Sequence, residues 1–374
     1  MNLGFNEEQK LIKSSAEKYF LENYSFDKRK RYLSGDLKNT DKWKDFSSLG
    51  WLGLPFSEKY GGYSGRVSDV MVLMETFGRA LVIEPYVYFN ILSGLIIEKM
   101  SLNENKSELL FQIINGSRKV SFAFAEPQSR FSISNIKTEA IRDNVDWIIN
   151  GKKNFVVETE ISDHLLIPAY CSQDEEVKLF LIDKNNTKLN IISYKNIDSS
   201  SVADIILNNL KIKNQDLIGS FKKGNYEREI EYFIDYATLA NCSQALGIVD
   251  KMYELTLEYV KTREQFGKKI GEFQVVQHRM VEIFIKKEEM RSLNYMAQVN
   301  MYKDDVERKK NISLNKIFLG THAKLIGQEC IQLHGGMGVA EEMQIGHYFK
   351  RLTTLNTIFG NIDYHYDRYS NNCN

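Results

Sequence analysis

The chain is 374 residues long, enough for two or three domains with sizeable cores. Lysine plus arginine and aspartate plus glutamate both number 49, so the net charge is zero and nothing electrostatic argues for nucleic acid or an anionic membrane as main partner. Cys171, Cys242, Cys330 and Cys373 are too widely spaced for a disulfide framework or a zinc pattern, and the six histidines are scattered, so a reducing compartment and no metal site are expected.

In chain order, MNLGFNEEQKLIKSSAEKYF has acids where a signal peptide would be apolar. It predicts a helix capped by Asn6, with Glu7 and Glu8 in the first turn where the dipole favours them. No run approaches the roughly eighteen apolar residues that span a membrane, so a soluble cytoplasmic protein is expected. Residues 1–117 read as helical, interrupted by a glycine-rich loop at Gly61, Gly62 and Gly65. From Lys119 the period changes to short β-branched and aromatic runs such as VSFAFAEP, DHLLIPAYC and VKLFLIDK, which predict an antiparallel β domain over 118–222. Within it Asn150-Gly151 predicts a type I′ hairpin turn, because both residues tolerate positive φ. The helical pattern returns near Asn225, giving a helical domain over 223–374 and an α+β arrangement overall.

Two stretches of the last domain carry the chemistry. Leu239, Cys242, Leu246, Val249, Tyr253, Leu257 and Val260 recur at steps of three and four, predicting one long helix with a single apolar face. The pattern restarts at Phe273, Val276, Met280 and Ile283. Between them YVKTREQFGKKI supplies Arg263, Gln265, Phe266 and Gly267: five guanidinium N–H donors, an amide, a ring and a backbone free to turn, suited to a phosphate diester beside a planar heterocycle. The second stretch is QLHGGMGV, where Gly335 and Gly336 fall at a helix stop and leave backbone N–H groups open to close approach.

RxQFGxxI followed by Q-x-x-GG-x-G resembles the C-terminal signature of the FAD-dependent acyl-CoA dehydrogenases. The likeness runs the whole length: GWLGLPFSEKYGGYSG and DVMVLMETFGRAL are similar to the family's first domain, FAFAEP and NGKKNFVV to its flavin-facing middle domain. LGWLGLPF, ETFGRALVIEPY, AEPQSR and GHYFKRLT resemble the pimeloyl-CoA dehydrogenase small subunits in particular. The resemblance implies an N-terminal helical domain, a middle antiparallel β domain and a C-terminal four-helix-bundle-like domain. It further implies FAD as cofactor, an acyl-CoA substrate from fatty acid or dicarboxylate degradation, and a tetramer whose electrons pass to an electron-transferring flavoprotein or to oxygen. The implied reaction is an anti elimination: a carboxylate removes the α proton while the β hydride goes to flavin N5, leaving a 2-enoyl-CoA.

By the same resemblance, Arg263, Gln265, Phe266, Gln332, Gly335 and Gly336 hold the pyrophosphate and adenine side of a neighbouring protomer's FAD. The flavin-facing half departs from the pattern. Ala125 stands where a hydroxyl-bearing residue precedes Glu126-Pro127, and Phe155-Val156-Val157 replaces Trp-Ile-Thr, so Phe124, Ala125, Phe155 and Val157 are the flavin-facing candidates without those two hydroxyls. The base departs too. The usual glutamate position aligns with Gly360, after Phe359, and the position used by a minority of relatives aligns with Ala237. Asp235, about 200° around the helix from Ala237, is a weak candidate, while Glu227 and Glu229 read as first-turn charges.

Three readings follow. The chain is the small subunit of a heteromer whose larger paralogous partner supplies the base; or a homotetrameric flavoenzyme with desulfinase-like or oxidase-like chemistry; or a non-catalytic subunit that binds acyl-CoA or a partner.

Overall fold

The computed structural model describes residues 4–34, 42–102 and 105–372; Cys373 lies outside them. The chain opens with α1 (Glu7–Asn23), α2 (Phe26–Leu33), α3 (Lys42–Ser48), α4 (Val67–Arg79), a π-helical turn at Val87–Gly94, α5 (Leu95–Met100) and α6 (Lys106–Ile114). Eight strands come next: β1 (Val120–Phe122), β2 (Glu139–Asp143), β3 (Asp146–Val157), β4 (His164–Cys171), β5 (Glu176–Asp183), β6 (Leu189–Lys195), β7 (Ser201–Ile212) and β8 (Leu217–Lys222). After them run α7 (Lys223–Thr262), a small ribbon of β9 (Glu264–Gln265) and β10 (Lys268–Lys269), α8 (Gln274–Asn300), α9 (Asp305–Phe318), α10 (Lys324–His334), α11 (Gln344–Thr357) and α12 (Ile362–Asn371). Asn6 caps α1 as its sequence predicts: its Oδ1 accepts from Gln9 N at 2.8 Å, and Gln9 Oε1 accepts from Asn6 N at 3.1 Å. No helix among the described residues is long and apolar enough to cross a membrane.

Two compact units emerge, one of Met1–Lys38, Arg66–Ile83 and Thr238–Asn374, the other of Asn39–Gly65 and Glu84–Ala237. The second holds the sheet, in the order β6-β7-β3-β2-β4-β5-β8 with β1 also against β4. Trp147, Ile149, Leu165, Ile167, Phe180 and Ile205 fill its core. The sheet is mixed rather than wholly antiparallel: β1 and β2 each pair with β4 in parallel. A parallel pair needs a long connection: residues 123–163 join β1 to β4, and residues 144–163, which include β3, join β2 to β4.

The expected turn at Asn150-Gly151 is also corrected. Both residues lie inside β3, at a register shift against β7. The β2–β3 turn is made instead by Asn144 and Val145, with Asn144 at φ 58° and Asp143 opposite Asp146. A Cβ on Gly151 would sit 2.6 Å from Thr138 Oγ1, so the glycine serves close packing. Asn150 Oδ1 accepts from Asn209 N at 2.7 Å.

The first unit is organised along α7, whose 40 residues span about 60 Å. Cys242, Leu246, Val249 and Val260 of the predicted apolar face are buried in its core, with Tyr253 and Leu257 packed against them. Helix α4 crosses α7 with backbones in contact. A Cβ on Gly78 would lie 1.9 Å from Gln244 O, and one on Gly247 would lie 1.9 Å from Glu75 O. Beside the crossing, Arg291 of α8 reaches Glu75 of α4 at 2.8 Å and Asp250 of α7 at 2.5 Å, and Lys287 reaches Asp250 at 3.1 Å. Burial raises the Glu75 carboxyl's pKa despite Arg291, whereas for Asp250 the two cations outweigh burial and lower it.

Gly247→Ala is therefore expected to lower the urea midpoint sharply, by the equivalent of about 1–3 kcal/mol or more, since the clash is with backbone. Gly224→Ala, where a Cβ meets nothing within 4 Å, is the control and should raise stability by up to about 1 kcal/mol. Equal effects at the two sites would refute the crossing.

Candidate functional site

Helix α7 ends at Thr262 and the chain turns through a two-residue hairpin. Gln265 faces Lys268 across β9 and β10, and the loop residues Phe266 and Gly267 both have positive φ, 54° and 79°. That is the type I′ conformation, for which glycine at the second position is favoured. The hairpin lifts Phe266 almost wholly into the open, 92% exposed, with only its edge toward Phe273 at 6.3 Å. Arg263 and Gln265 are exposed beside it. Lys261, Arg263, Lys268 and Lys269 face a single carboxylate, Glu264, in this stretch, so the tip is locally basic in a neutral chain.

The second motif is brought to the end of the same helix. Helix α10 stops at His334, where Gly335 N donates to Gln332 O and takes φ 61°, ψ −144°. A Cβ on Gly335 or Gly336 would meet nothing within 4 Å, so their backbone faces open space. Gln332 is exposed alongside. Tyr259 joins the two motifs: its ring stacks on His334 at 4.4 Å and its hydroxyl donates to His334 O at 3.3 Å. His334 Nδ1 donates to Cys330 O at 2.8 Å, and burial lowers the imidazole's pKa, so the ring that braces the turn is neutral at neutral pH. A cavity of about 600 Å³ opens here, lined by Phe26, Tyr259, Thr262, His334, Met343 and Gln344 among others. An open glycine backbone, a guanidinium and a cationic turn fit the diphosphate of a dinucleotide such as FAD.

The flavin-facing candidates belong to the sheet unit. Phe155 sits at a second β3 bulge with φ 53° and is 38% exposed, so it is not core. Asp204 holds the bulge: its Oδ1 accepts from Phe155 N at 3.2 Å and its Oδ2 from Asn154 Nδ2 at 3.3 Å. Phe124 stacks on Phe122 at 5.4 Å. Ala125 and Val157 are half-buried, and Ala125 O accepts from Asn154 N at 2.8 Å.

Next to Ala125 lies an ion pair that sequence reasoning missed. Lys153 Nζ, fully buried, meets Glu126 Oε1 at 2.6 Å. Thr138 Oγ1, Lys137 N and Gln128 Nε2 also donate to Glu126, which ties residues 126–138 to β3. Burial opposes the Glu126 charge, but Lys153 and the donors prevail and hold its pKa at about 2. Burial in turn draws Lys153 down to about 8 against the pull of Glu126. The signal was present, since Glu126 and Lys153 fall one in each of the two β segments singled out by resemblance.

Neither position expected for a base holds a carboxylate, and one is closed to it. Gly360 has φ 117°, and a Cβ there would lie 2.5 Å from Tyr364 Cδ1 and 2.7 Å from His365 Nε2. The loop is fixed from behind, where the buried Lys316 Nζ donates to Leu355 O at 2.5 Å and Ile358 O at 2.9 Å, and His365 Nε2 donates to Phe359 O at 3.1 Å. Ala237 and Asp235 are both buried on α7. Glu227 and Glu229 are both half-buried, and burial raises the carboxyl pKa of Glu227.

Family models for the acyl-CoA dehydrogenase N-terminal, middle and C-terminal domains match residues 6–117, 121–214 and 228–372. Among curated relatives, L-prolyl-[peptidyl-carrier protein] dehydrogenase from a Serratia species is 26% identical, over 92% of this chain and 90% of its own. Among solved structures, an acyl-CoA dehydrogenase from Geobacillus kaustophilus superposes with a TM-score of 0.90 at 21% identity, covering all of both chains. The ChsE4-ChsE5 complex from Mycobacterium tuberculosis matches with a TM-score of 0.87 at 18% identity, over 100% of this chain and 99% of that one.

The buried pair sets a pH dependence. Glu126 has a folded pKa below its unfolded one, so its contribution is complete above about pH 4.5 and is lost as pH falls toward 2. Lys153→Met, which strands a buried carboxylate, should cost about 3–5 kcal/mol at pH 7. Melting temperatures of the wild type and Lys153→Met should converge on acidification; a gap that stays constant down to pH 2 would contradict the assignment.

Proposed function

The chain belongs to the acyl-CoA dehydrogenase family, and we propose that it is the clamp subunit of a heteromeric member, oxidising an acyl-CoA thioester to its 2-enoyl form with a base supplied by a larger paralogous partner. Members of the family are FAD-dependent oxidoreductases acting on CH–CH bonds.

One observation supports the reading: Arg263, Gln265, Phe266, Gln332, Gly335 and Gly336, the proposed dinucleotide clamp, are all exposed, while Gly360 sits in a conformation and a contact shell that disfavour a glutamate side chain. Ala237, the other base position, ends at a methyl group. A chain that keeps the grip without the base is suited to lending that grip to another's cofactor. The ChsE4-ChsE5 neighbour, a complex of two differently named proteins, supports an assembly of this kind. So does the sequence likeness to pimeloyl-CoA dehydrogenase small subunits.

Bound FAD would supply the hydride acceptor for the β carbon. Toward it, Arg263 would grip phosphate with a planar fork that lysine cannot reproduce, and Gly335 and Gly336 would let phosphate approach their backbone closely. Phe266 would cover the adenine from its exposed hairpin, and Gln265 and Gln332 would add amide contacts. Phe124, Ala125, Phe155 and Val157 would form this chain's own flavin-facing surface, which the two missing hydroxyls make the weaker of the pair. The partner's carboxylate takes the α proton.

Flavin content tests this. Expressed alone, the chain should retain little FAD; co-expressed with a longer family member that carries a carboxylate on the helix equivalent to α7, it should purify with one FAD per heterodimer. Arg263→Ala should weaken FAD retention by at least about tenfold, as expected for loss of a charged hydrogen bond to phosphate. One FAD per chain with dehydrogenase turnover in a homo-oligomer would overturn the heteromer, and unchanged affinity in Arg263→Ala would overturn the clamp.

A further inference from the structure

Helix α7 carries a buried polar side chain that none of the described residues satisfies. Asn241 is 0% exposed, and among the described residues neither its Nδ2 nor its Oδ1 has a hydrogen-bond partner. Interiors rarely tolerate both ends of a carboxamide unpaired unless water or a ligand completes the bonds. Its neighbours along the helix are all buried, the apolar Leu239, Ala240, Cys242, Ala245 and Leu246 beside the polar Thr238, Ser243 and Gln244, and leucine is a better helix former than asparagine.

Its place in the helix says where such a ligand would lie. Residues four apart share a helix face, so Asn241 stands one turn, about 6 Å, beyond Ala237, a position matching the family's carboxylate base. On the acyl-thioester reading, Asn241 would therefore face the acyl group one helical turn from the aligned base position.

We propose that Asn241 is a specificity residue that recognises a hydroxyl-bearing acyl group, Oδ1 accepting from the hydroxyl and Nδ2 donating to it. This rests on the acyl-thioester reading above. A hydroxyl matches both ends of the carboxamide at once, whereas an unsubstituted alkyl chain leaves both unpaired and is disfavoured.

The test is calorimetric binding of hexanoyl-CoA, 3-hydroxyhexanoyl-CoA and 6-hydroxyhexanoyl-CoA to the flavin-loaded assembly. The wild type should prefer one hydroxylated thioester by about tenfold, and Asn241→Leu and Asn241→Val should bring all three within about twofold. Both ligand-free variants should melt no lower than the wild type, because no hydrogen bond is lost; two substitutions of different bulk separate lost recognition from misfolding. Equal binding of the three by the wild type, or a preference that survives both substitutions, overturns the proposal alone. Failure of the wild type to bind any of the thioesters overturns the acyl-thioester reading and this inference with it.

Discussion

The direct backbone contact between α4 and α7 is the constraint from which the helical unit follows. With glycine at both 78 and 247, neither helix can move apart without opening a gap or rotate without driving a side chain into the other's carbonyls. Fixing the rotation of α7 decides what each of its faces meets. One face buries Cys242, Leu246 and Val249, while Asp250 is brought to Arg291 and Lys287. At its far end the same helix delivers Tyr259 to His334, so the geometry of the exposed clamp is inherited from a crossing about 18 Å earlier along the helix, twelve residues at 1.5 Å each.

Buried charge in this protein is used for placement more than for net stability. Desolvation offsets most of what an ion pair gains, so the Glu126–Lys153 pair is weak evidence of a stabilising design. What it does is geometric: one carboxylate gathers Lys153, Thr138, Lys137 N and Gln128, and so fixes a long connection that would otherwise have no regular structure. Lys316 works in the same way with carbonyls in place of a carboxylate. Its ammonium, drawn down to about 8 by burial, satisfies the orphan end of α11 and sets the path of residues 358–361.

Much of this was legible from the sequence because it depends on local rules. Period and caps gave the α1 start, the apolar face of α7 and the helix stop at Gly335. The misplaced turn at Asn150-Gly151 shows the limit of such rules. Asn-Gly has the right intrinsic preference for a hairpin, but Thr138, just before the partner strand β2, fills the space beside residue 151, and strand pairing outweighed turn propensity. The parallel pairings of β4 were invisible for the same reason, since strand order is not written in strand pattern. The joining of the two clamp motifs through Tyr259 and His334, 75 residues apart, likewise needed coordinates.

The departures from the family pattern cluster, and their distribution is itself an argument. Erosion through neglect would be expected to fall first on exposed residues, where substitution costs little fold stability. Here the exposed groups Arg263, Phe266, Gln332, Gly335 and Gly336 keep the pattern, and apart from the partly exposed Phe155 the changes fall on buried or half-buried positions, Ala125, Val157, Ala237 and Gly360. An exposed aromatic ring at a hairpin tip does nothing for the fold of its own chain, so its presence is best explained by a surface it covers elsewhere. Inside, the replacement at 360 is accommodated with care: Tyr364 and His365 close over the glycine, and Phe359 is held at φ 59° with its carbonyl bonded to His365. The two aligned base positions thus end in a methyl group at Ala237 and no side chain at Gly360, while the buried carboxamide of Asn241, one turn from Ala237, has no hydrogen-bond partner among the described residues.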